Sequence, residues 1–371
     1  MSRPQLRVRV NLAAIAHNTR TLAGRLGPTT RLMAVVKADG YGHGAVAVAK
    51  TMADYGAEAF GVATIAEALQ LRDAGITEPI LAWLWQTGDD LSDAAAAGIE
   101  LAVPSPEHLQ ALVTSGLGLD VCLKVETGMH RSGLDESQWA DAFALAAANP
   151  QLRVTGLMSH LACADEPEHP ATDAQAAAFR RAIDAARVAG LAVPRNHLAN
   201  SAATLTRPDL HFEQVRVGLA LYGLNPMAAG VTPAAELQPA MTWEADVVAV
   251  KTVHPGDHVS YGWTYEAPAV AHTAVVPVGY ADGLPRRLQG NVEVTIGQRR
   301  YPQVGRVCMD QIVVNVGDNS DGVRPGDTAV LFGPGGAGVD EVADALGTIN
   351  YEALCLPKGR SQRVYEGGDH A

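Results

Sequence analysis

Between residues 31 and 223, short apolar runs alternate with alanine-rich amphipathic stretches, and no other feature of this 371-residue chain restricts its fold as much. Apolar runs bounded by turn signals read as buried strands, and strands that alternate with helical patterns read as parallel βα units. The runs can be counted: 31–38, 60–64, 79–84, 100–105, 121–127, 154–160, 195–200 and 215–222. Eight is the number that closes a (β/α)8 barrel of the TIM type. Helical patterns at 45–55, 65–74, 106–115, 139–148 and 172–189 lie between them, each ending near Gly, Asn or Pro. After Pro226 the helical runs disappear, and β-rich segments at 243–253, 273–278, 292–296 and 328–332 are separated by Pro-Gly-Asp and similar turns. The expected fold class is therefore α/β. An N-terminal (β/α)8 TIM-like barrel spans 1–233 and a mainly β C-terminal domain spans 234–371, joined by a linker-like stretch around 230–236. Residues 6–10 alternate like a strand and could pair with either domain, so 1–10 are open to joining the β domain.

Composition narrows the function classes. Apolar residues are 47% and charged residues 18%, enough burial to offset chain entropy and too little charge for a disordered chain. Forty acids against 28 bases give a net charge of -12, so counterion release from nucleic acid is not an expected source of affinity. Cys122, Cys163, Cys308 and Cys355 form neither a CxxC pair nor a dense disulfide framework, which favours reduced thiols, and no metal is expected. The first residues lack an apolar targeting core, and no run approaches the eighteen apolar residues of a membrane span. A cytoplasmic protein with no membrane partner is the expectation.

The chemistry centres on Lys37. It follows the apolar run Leu32-Met33-Ala34-Val35-Val36, so it falls at the C-terminal end of the first barrel strand, where barrel enzymes place catalytic groups. Burial that lowers a lysine's pKa makes it a nucleophile able to form an imine with an aldehyde, whereas a snorkelling surface lysine is the plainer alternative. Three glycines in the next seven residues allow close backbone approach to a ligand. A second signal comes from His197-Leu198-Ala199-Asn200-Ser201 and Arg216-Val217-Gly218-Leu219, at the last two strands, where barrels often build a phosphate site. Asn200 or Ser201 as an ordinary helix cap is the alternative there. The two signals together point to a phosphorylated aldehyde.

The segment Ala34-Val35-Val36-Lys37-Ala38-Asp39-Gly40-Tyr41-Gly42-His43-Gly44 resembles the pyridoxal-phosphate attachment segment of bacterial alanine racemases. The resemblance continues in order through KVETGMHRSG at 124–133, SHLACADE at 159–166, ANSAA at 199–203, VRVGLALYG at 215–223, VSYGWTY at 259–265, VGYADG at 278–283, VGRVCMDQ at 304–311 and TINYE at 348–352. It implies an enzyme that interconverts L-alanine and D-alanine through an imine with pyridoxal 5'-phosphate and supplies D-alanine for peptidoglycan. Removing an α-proton needs an electron sink, which the cofactor ring provides. Returning the proton to the opposite face needs a second acid/base group.

The resemblance assigns those two bases to Lys37 and Tyr261, and implies a homodimer in which they come from different chains. By pattern alone Tyr261 reads as a half-buried strand aromatic. Arg216 is similar to the arginine that donates to the pyridine nitrogen, oriented by His197, and a guanidinium can only donate. His160 resembles the histidine lying against the cofactor, and Arg131 the residue that contacts the cofactor's phenolic oxygen and the substrate carboxylate. Lys124 corresponds to a lysine carbamylated in many members, Met309 to a residue whose amide binds the carboxylate, and Tyr280 to an entrance residue. Tyr41, Asn200, Ser201, Gly218 and Leu219 complete the implied cofactor set.

One position departs from the pattern. Many members carry a Tyr-Arg pair four residues after the cysteine that follows Asn-Tyr-Glu, whereas Cys355 is followed by Leu356-Pro357-Lys358-Gly359-Arg360. Gly359 in place of that tyrosine implies one phosphate donor fewer and a wider inner gate. A serine or broad-specificity racemase stays open on that account. A single-barrel pyridoxal-phosphate homeostasis protein would leave the β domain incidental, and a barrel-type decarboxylase would need a cysteine-containing segment not found here.

Overall fold

The structure, a computed structural model, describes residues 4–228, 230–232 and 235–368. The expected boundary at Pro233 and Ala234 lies outside the described residues. The chain forms two compact units. One comprises the residues up to Ala14, Tyr41–Gly44 and the chain from Pro239 onward; the other comprises Ile15–Gly40 and Ala45–Gln238.

The first unit begins with β1 (Leu6–Asn11). The second carries β2 (Arg31–Val35), β3 (Ala59–Thr64), β4 (Ile80–Leu84), β5 (Ile99–Val103), β6 (Leu119–Lys124), β7 (Leu152–Met158) and β8 (Gln214–Val217). These seven strands form one parallel sheet in the order β7-β6-β5-β4-β3-β2-β8. They are apolar runs rather than alternating ones because both faces are covered, as β5 and β8 show by being buried throughout. Met33, Ala59, Leu81, Ala102, Cys122 and Met158 fill the interior. Helices lie where the periodicity expects them, at Ala45–Asp54, Ile65–Asp73, Pro106–Ser115, Trp139–Ala147 and Ala171–Val188.

The seventh run, expected at 195–200, is an extended segment that makes one isolated parallel bridge among the described residues, Met158 to His197. It still closes the ring: Arg195 N donates to Thr155 O at 3.0 Å, His197 N to Leu157 O at 3.0 Å, and Arg216 N to Ala199 O at 2.9 Å. A regular ladder is interrupted because the Asn196 side chain takes a backbone role, its Oδ1 accepting from Leu157 N at 3.1 Å. The neighbouring segment also runs very close to β7. A Cβ on Gly156 would lie 1.7 Å from Arg195 O, so glycine is required there.

In the first unit the strands are β9 (Met241–Asp246), β10 (Ala249–Val253), β11 (His258–Val259), β12 (Tyr265–Glu266), β13 (Ala271–Val276), β14 (Glu293–Ile296), β15 (Arg299–Val304), β16 (Ile312–Gly317), β17 (Thr328–Phe332) and β18 (Gln362–Glu366). β11 pairs with β12, and the others join β1 in a nine-stranded sheet. β1 lies antiparallel to β9 and parallel to β18. Arg7 on β1 is buried and pairs with Glu244 at 3.0 Å and Asp246 at 2.7 Å, so its charge is matched within the sheet. The run expected at 243–253 divides into two strands. Helix also persists beyond Pro226, at Val339–Leu346 and Asn350–Leu354, the former set between Gly338 and the left-handed Gly347.

Candidate active site

Parallel pairing brings the sequence-selected residues of the barrel unit to one end of its sheet. Val35 stands opposite Gly61, and Met33 and Ala34 stand opposite Arg216 and Val217, so Lys37 leaves β2 at the level where β8 runs into Gly218. Lys124 ends β6 opposite Met158, two residues before His160, and Met158 bridges to His197. Lys37, Lys124, His160, His197, Ser201 and Arg216 therefore share the C-terminal mouth, the end at which barrels carry chemistry.

The backbone after Lys37 is unusual. Ala38, Asp39, Gly40 and Tyr41 all adopt left-handed conformations, with φ of 52°, 53°, 63° and 52°. Such a conformation costs roughly 1–2 kcal/mol for each residue with a Cβ, so hydrogen bonds must hold it. Gly40 N donates to Val36 O at 2.8 Å, Ala45 N to Asp39 Oδ1 at 2.8 Å, and Ala38 N to Glu67 Oε1 at 2.7 Å. Lys37 is half-buried, and its Nζ lies 5.8 Å from the ring centroid of Trp83. The first unit buries Tyr41, whose hydroxyl is pushed up by desolvation and then by Tyr351 and Cys355, and so stays a proton donor.

Arg216 is the electrostatic centre of the mouth. It is buried, and burial pulls its guanidinium down to about 10, which leaves it charged at neutral pH. All its hydrogen-bond partners are neutral: the carbonyls of His197 (2.6 Å), Ser159 (2.5 Å) and Leu198 (3.4 Å), and the rings of His197 (3.1 Å) and His160 (3.2 Å). Each of these bonds comes from Nη1 or Nη2, and Nε donates to nothing among the described residues. Because a guanidinium only donates, Nδ1 of each histidine must accept, which puts the imidazole proton on Nε2. His197 Nε2 faces Cys122 Sγ at 3.3 Å. Burial and then Arg216 hold His197 well below its ordinary value. Burial, Arg216, Arg131, Lys124 and Lys37 hold His160 at about 3. Both rings are neutral acceptors.

Lys124 is pulled down to about 8, first by desolvation and then by Arg131 and Arg216, and its Nζ donates to Ser132 Oγ at 2.5 Å. That bond holds the loop next to the exposed Arg131. Beyond β8, Ser201 Oγ accepts from the amides of Gly218 at 3.0 Å and Ala220 at 3.4 Å, which gathers the hydroxyl and Gly218-Leu219 into one cradle. Asn200 caps the helix Ser201–Thr206 through its Oδ1 to Ala203 N at 3.0 Å.

The first unit holds the remaining candidates on three converging loops. Tyr280 N donates to Cys308 O and Ala281 N to Met309 O, both at 3.1 Å, while Ser260 Oγ donates to Arg306 O at 2.9 Å and lies 3.3 Å from Cys308 Sγ. Ser260 sits at φ 67° and ψ -177°, a region almost confined to glycine, and projects Tyr261 outward. Tyr261 is 73% exposed, Met309 53% and Tyr280 43%. Arg360 ties these loops together, reaching the buried Asp282 through Nε at 2.7 Å and Nη2 at 2.6 Å, and Asp310 through Nη1 at 2.8 Å. Gly359 is fixed by its backbone: at φ 60° a Cβ would lie 2.5 Å from Ala281 O, so no tyrosine fits there without moving the Tyr280 loop. Sequence reasoning passed over Glu67, Trp83, Cys122, Asp282 and the Arg360 clamp.

Residues 10–226 match the family model for the alanine racemase N-terminal domain, and residues 240–365 match that for the alanine racemase C-terminal domain. An alanine racemase of Corynebacterium efficiens is 54% identical over 365 residues, covering 98% of each chain. The crystal structure of alanine racemase from Corynebacterium glutamicum superposes with a TM-score of 0.89 at 50% identity, over 98% of this chain and 100% of that one. The alanine racemase of a D-cycloserine-producing Streptomyces lavendulae gives 0.93 at 40% identity, over 99% and 98%. The barrel and the β unit are matched in the same order and over nearly their whole length, and the chain belongs to the alanine racemase family.

Proposed function

We propose that this chain is an isomerase that interconverts L-alanine and D-alanine with pyridoxal 5'-phosphate, and that it supplies D-alanine for peptidoglycan from the cytoplasm. The observation that carries this reading is Arg216, a buried cation with no carboxylate partner and an unspent Nε donor among the described residues, at the same mouth as Lys37. That donor set suits the lone pair of a pyridine nitrogen, and the Ser201–Gly218 cradle suits a phosphate. When bound, the cofactor supplies an electron-withdrawing ring that accommodates the charge left as the α-proton departs.

Lys37 then moves the proton on one face of the substrate, and the partner subunit's Tyr261 moves it on the other. The exposure of Tyr261, Tyr280 and Met309 supports a homodimer in which a second copy covers these loops. Arg216 would donate to the ring nitrogen without giving up its own proton, and the neutral His197 and His160 orient the guanidinium. Tyr41, Ser201, Gly218 and Leu219 hold the phosphate. Arg131 and the Met309 amide hold the substrate carboxylate, and Tyr280 stands at the entrance. Lys124, neutral often enough to react with carbon dioxide at a pKa of about 8, becomes a carbamate that faces Arg131. Glycine at 359 supports a wider entrance and hence some acceptance of serine.

The test is incubation of pure L-alanine, and of a panel of other L-amino acids, with the holoprotein, followed by chiral analysis. Lys37→Ala is expected to lose both the visible absorbance of the bound cofactor and all racemisation. Tyr261→Phe is expected to keep the absorbance and lose racemisation. Normal turnover by Tyr261→Phe would refute the two-base assignment.

A further inference from the structure

The left-handed turn after Lys37 needs an external restraint, and one carboxylate supplies it. Glu67 is the third residue of the helix Ile65–Asp73, whose N-cap is Thr64. Its Oε2 accepts from Ala63 N at 2.8 Å and Thr64 N at 3.1 Å, and its own amide donates to Thr64 Oγ1 at 3.2 Å. Those bonds complete an ordinary capping box. The remaining oxygen does something capping does not need, accepting from Ala38 N at 2.7 Å. Val36 N, on the other side of the lysine, donates to Gly61 O on β3 at 2.9 Å. The backbone of Lys37 is thus bracketed by β3 on one side and by the helix following β3 on the other. Among the described residues, Glu67 is the one restraint on the turn that takes the amide of the residue directly after the lysine.

We infer that Glu67 is a positioning residue for Lys37: its carboxylate staples the Ala38 amide to the start of the Ile65–Asp73 helix and so fixes the direction in which the amine leaves the strand. This rests on the reading of Lys37 as the cofactor-binding amine. Glu67 acts through the backbone, on the run of left-handed residues Ala38, Asp39, Gly40 and Tyr41. An amine held in one direction loses little freedom when it bonds to the cofactor, whereas an amine on a relaxed turn must be ordered at that moment.

The test compares Glu67→Ala, Glu67→Gln and Thr64→Ala in the full holoprotein. Three quantities are measured: cofactor affinity from the visible band, hydrogen exchange of the peptide spanning residues 37–44, and kcat and KM for alanine. Glu67→Ala is expected to weaken cofactor affinity about tenfold, the scale of a lost hydrogen bond to a charged group. It is also expected to speed exchange at Ala38 about as much, and to lower kcat with little change in KM. Glu67→Gln, which keeps an oxygen for Ala38, is expected to fall between it and the parent. It also serves if the alanine variant does not fold. Thr64→Ala, which weakens the cap and spares the Ala38 bond, is expected to lower Tm while leaving affinity and exchange within about twofold. Equal effects of Glu67→Ala and Thr64→Ala on affinity and exchange, or unchanged values in Glu67→Ala, would overturn the inference. A parent protein that takes up no cofactor would sink the reading of Lys37 instead, and exchange at Ala38 would still decide whether Glu67 holds the turn.

Discussion

The two mouths of the barrel treat charge in opposite ways. At the N-terminal mouth, a cavity is lined by Arg31, Arg153, Arg195, Glu100, Asp120 and Glu213. There the charges answer one another: Arg153 Nε donates to Asp120 at 2.6 Å, Arg195 lies 3.8 Å from Glu100, and Arg31 lies 3.8 Å from Glu58. Glu213 accepts from both nitrogens of Asn196 at 2.9 Å. At the C-terminal mouth, Lys124, Arg131 and Arg216 make no ion pair among the described residues. Glu126, the nearest acid in sequence to Lys124, spends an oxygen on the amides of Gly128 and Met129. A mouth that balances itself contributes to stability, and a mouth with surplus buried cation is built for an anion from outside the chain.

The largest effect is expected where the surplus is deepest. Arg216→Met should cut kcat/KM for alanine by about a hundredfold or more, the scale of losing a preorganised charged donor at a reacting group. A loss smaller than tenfold would mean that the guanidinium is merely structural. Lys124 should sharpen the contrast in a different way. Its amine titrates near 8, so about half is neutral at that pH and less as pH falls. Restoring bicarbonate to enzyme stripped of carbon dioxide should raise activity by up to about tenfold through a new charge-assisted bond. Lys124→Ala should not respond.

At the opposite mouth, effects should appear in stability and not in turnover. Burial raises the carboxyl of Glu100 above its ordinary 4.5, with Thr155 and Arg195 opposing the shift. The folded state therefore holds this proton more tightly than the unfolded chain, so its contribution is full below 4.5 and is lost as pH rises through the folded value. Glu100→Gln should abolish that loss, so denaturant titrations of variant and parent should diverge as pH rises from 4.5 towards 8, with the parent losing ground. The opposite trend would mean that Arg195 outweighs burial. The smallest effect is expected at the exposed Arg153–Asp120 pair, where Asp120→Asn should change stability by no more than about 1 kcal/mol and leave racemisation untouched. Any marked loss of activity there would break the division between the two ends.

Much of the fold was legible because it is periodic. Seven of the eight apolar runs became strands, and five expected helices lie in place. The seventh run, at 195–200, deceived because Asn196 and Gly156 exchange a regular ladder for side-chain bonds and close backbone contact, neither of which leaves a trace in hydropathy. The helix Val339–Leu346 was missed among turn signals, two of which, Gly338 and Gly347, are its own ends. Among the candidate residues, Lys37 and Arg216 were legible from their places at strand ends. Glu67 was not, since its position in a capping box explains it fully until the turn beside it is seen. Gly359 was visible as a departure, but only the approach of Ala281 O explains why no side chain stands there.

By itself the sequence determined the alternation of strand and helix, the strand-end placement of Lys37 and the ordered motifs that mark the family, because these depend on spacing along one chain. Tertiary structure alone decided that Arg216 meets no carboxylate among the described residues, that its donors make both histidines acceptors, and that Glu67 reaches the amide of Ala38. These are relations between groups up to 56 residues apart. Charge compensation and hydrogen-bond direction depend on which neighbours folding brings within about 3 Å, and no local pattern encodes that.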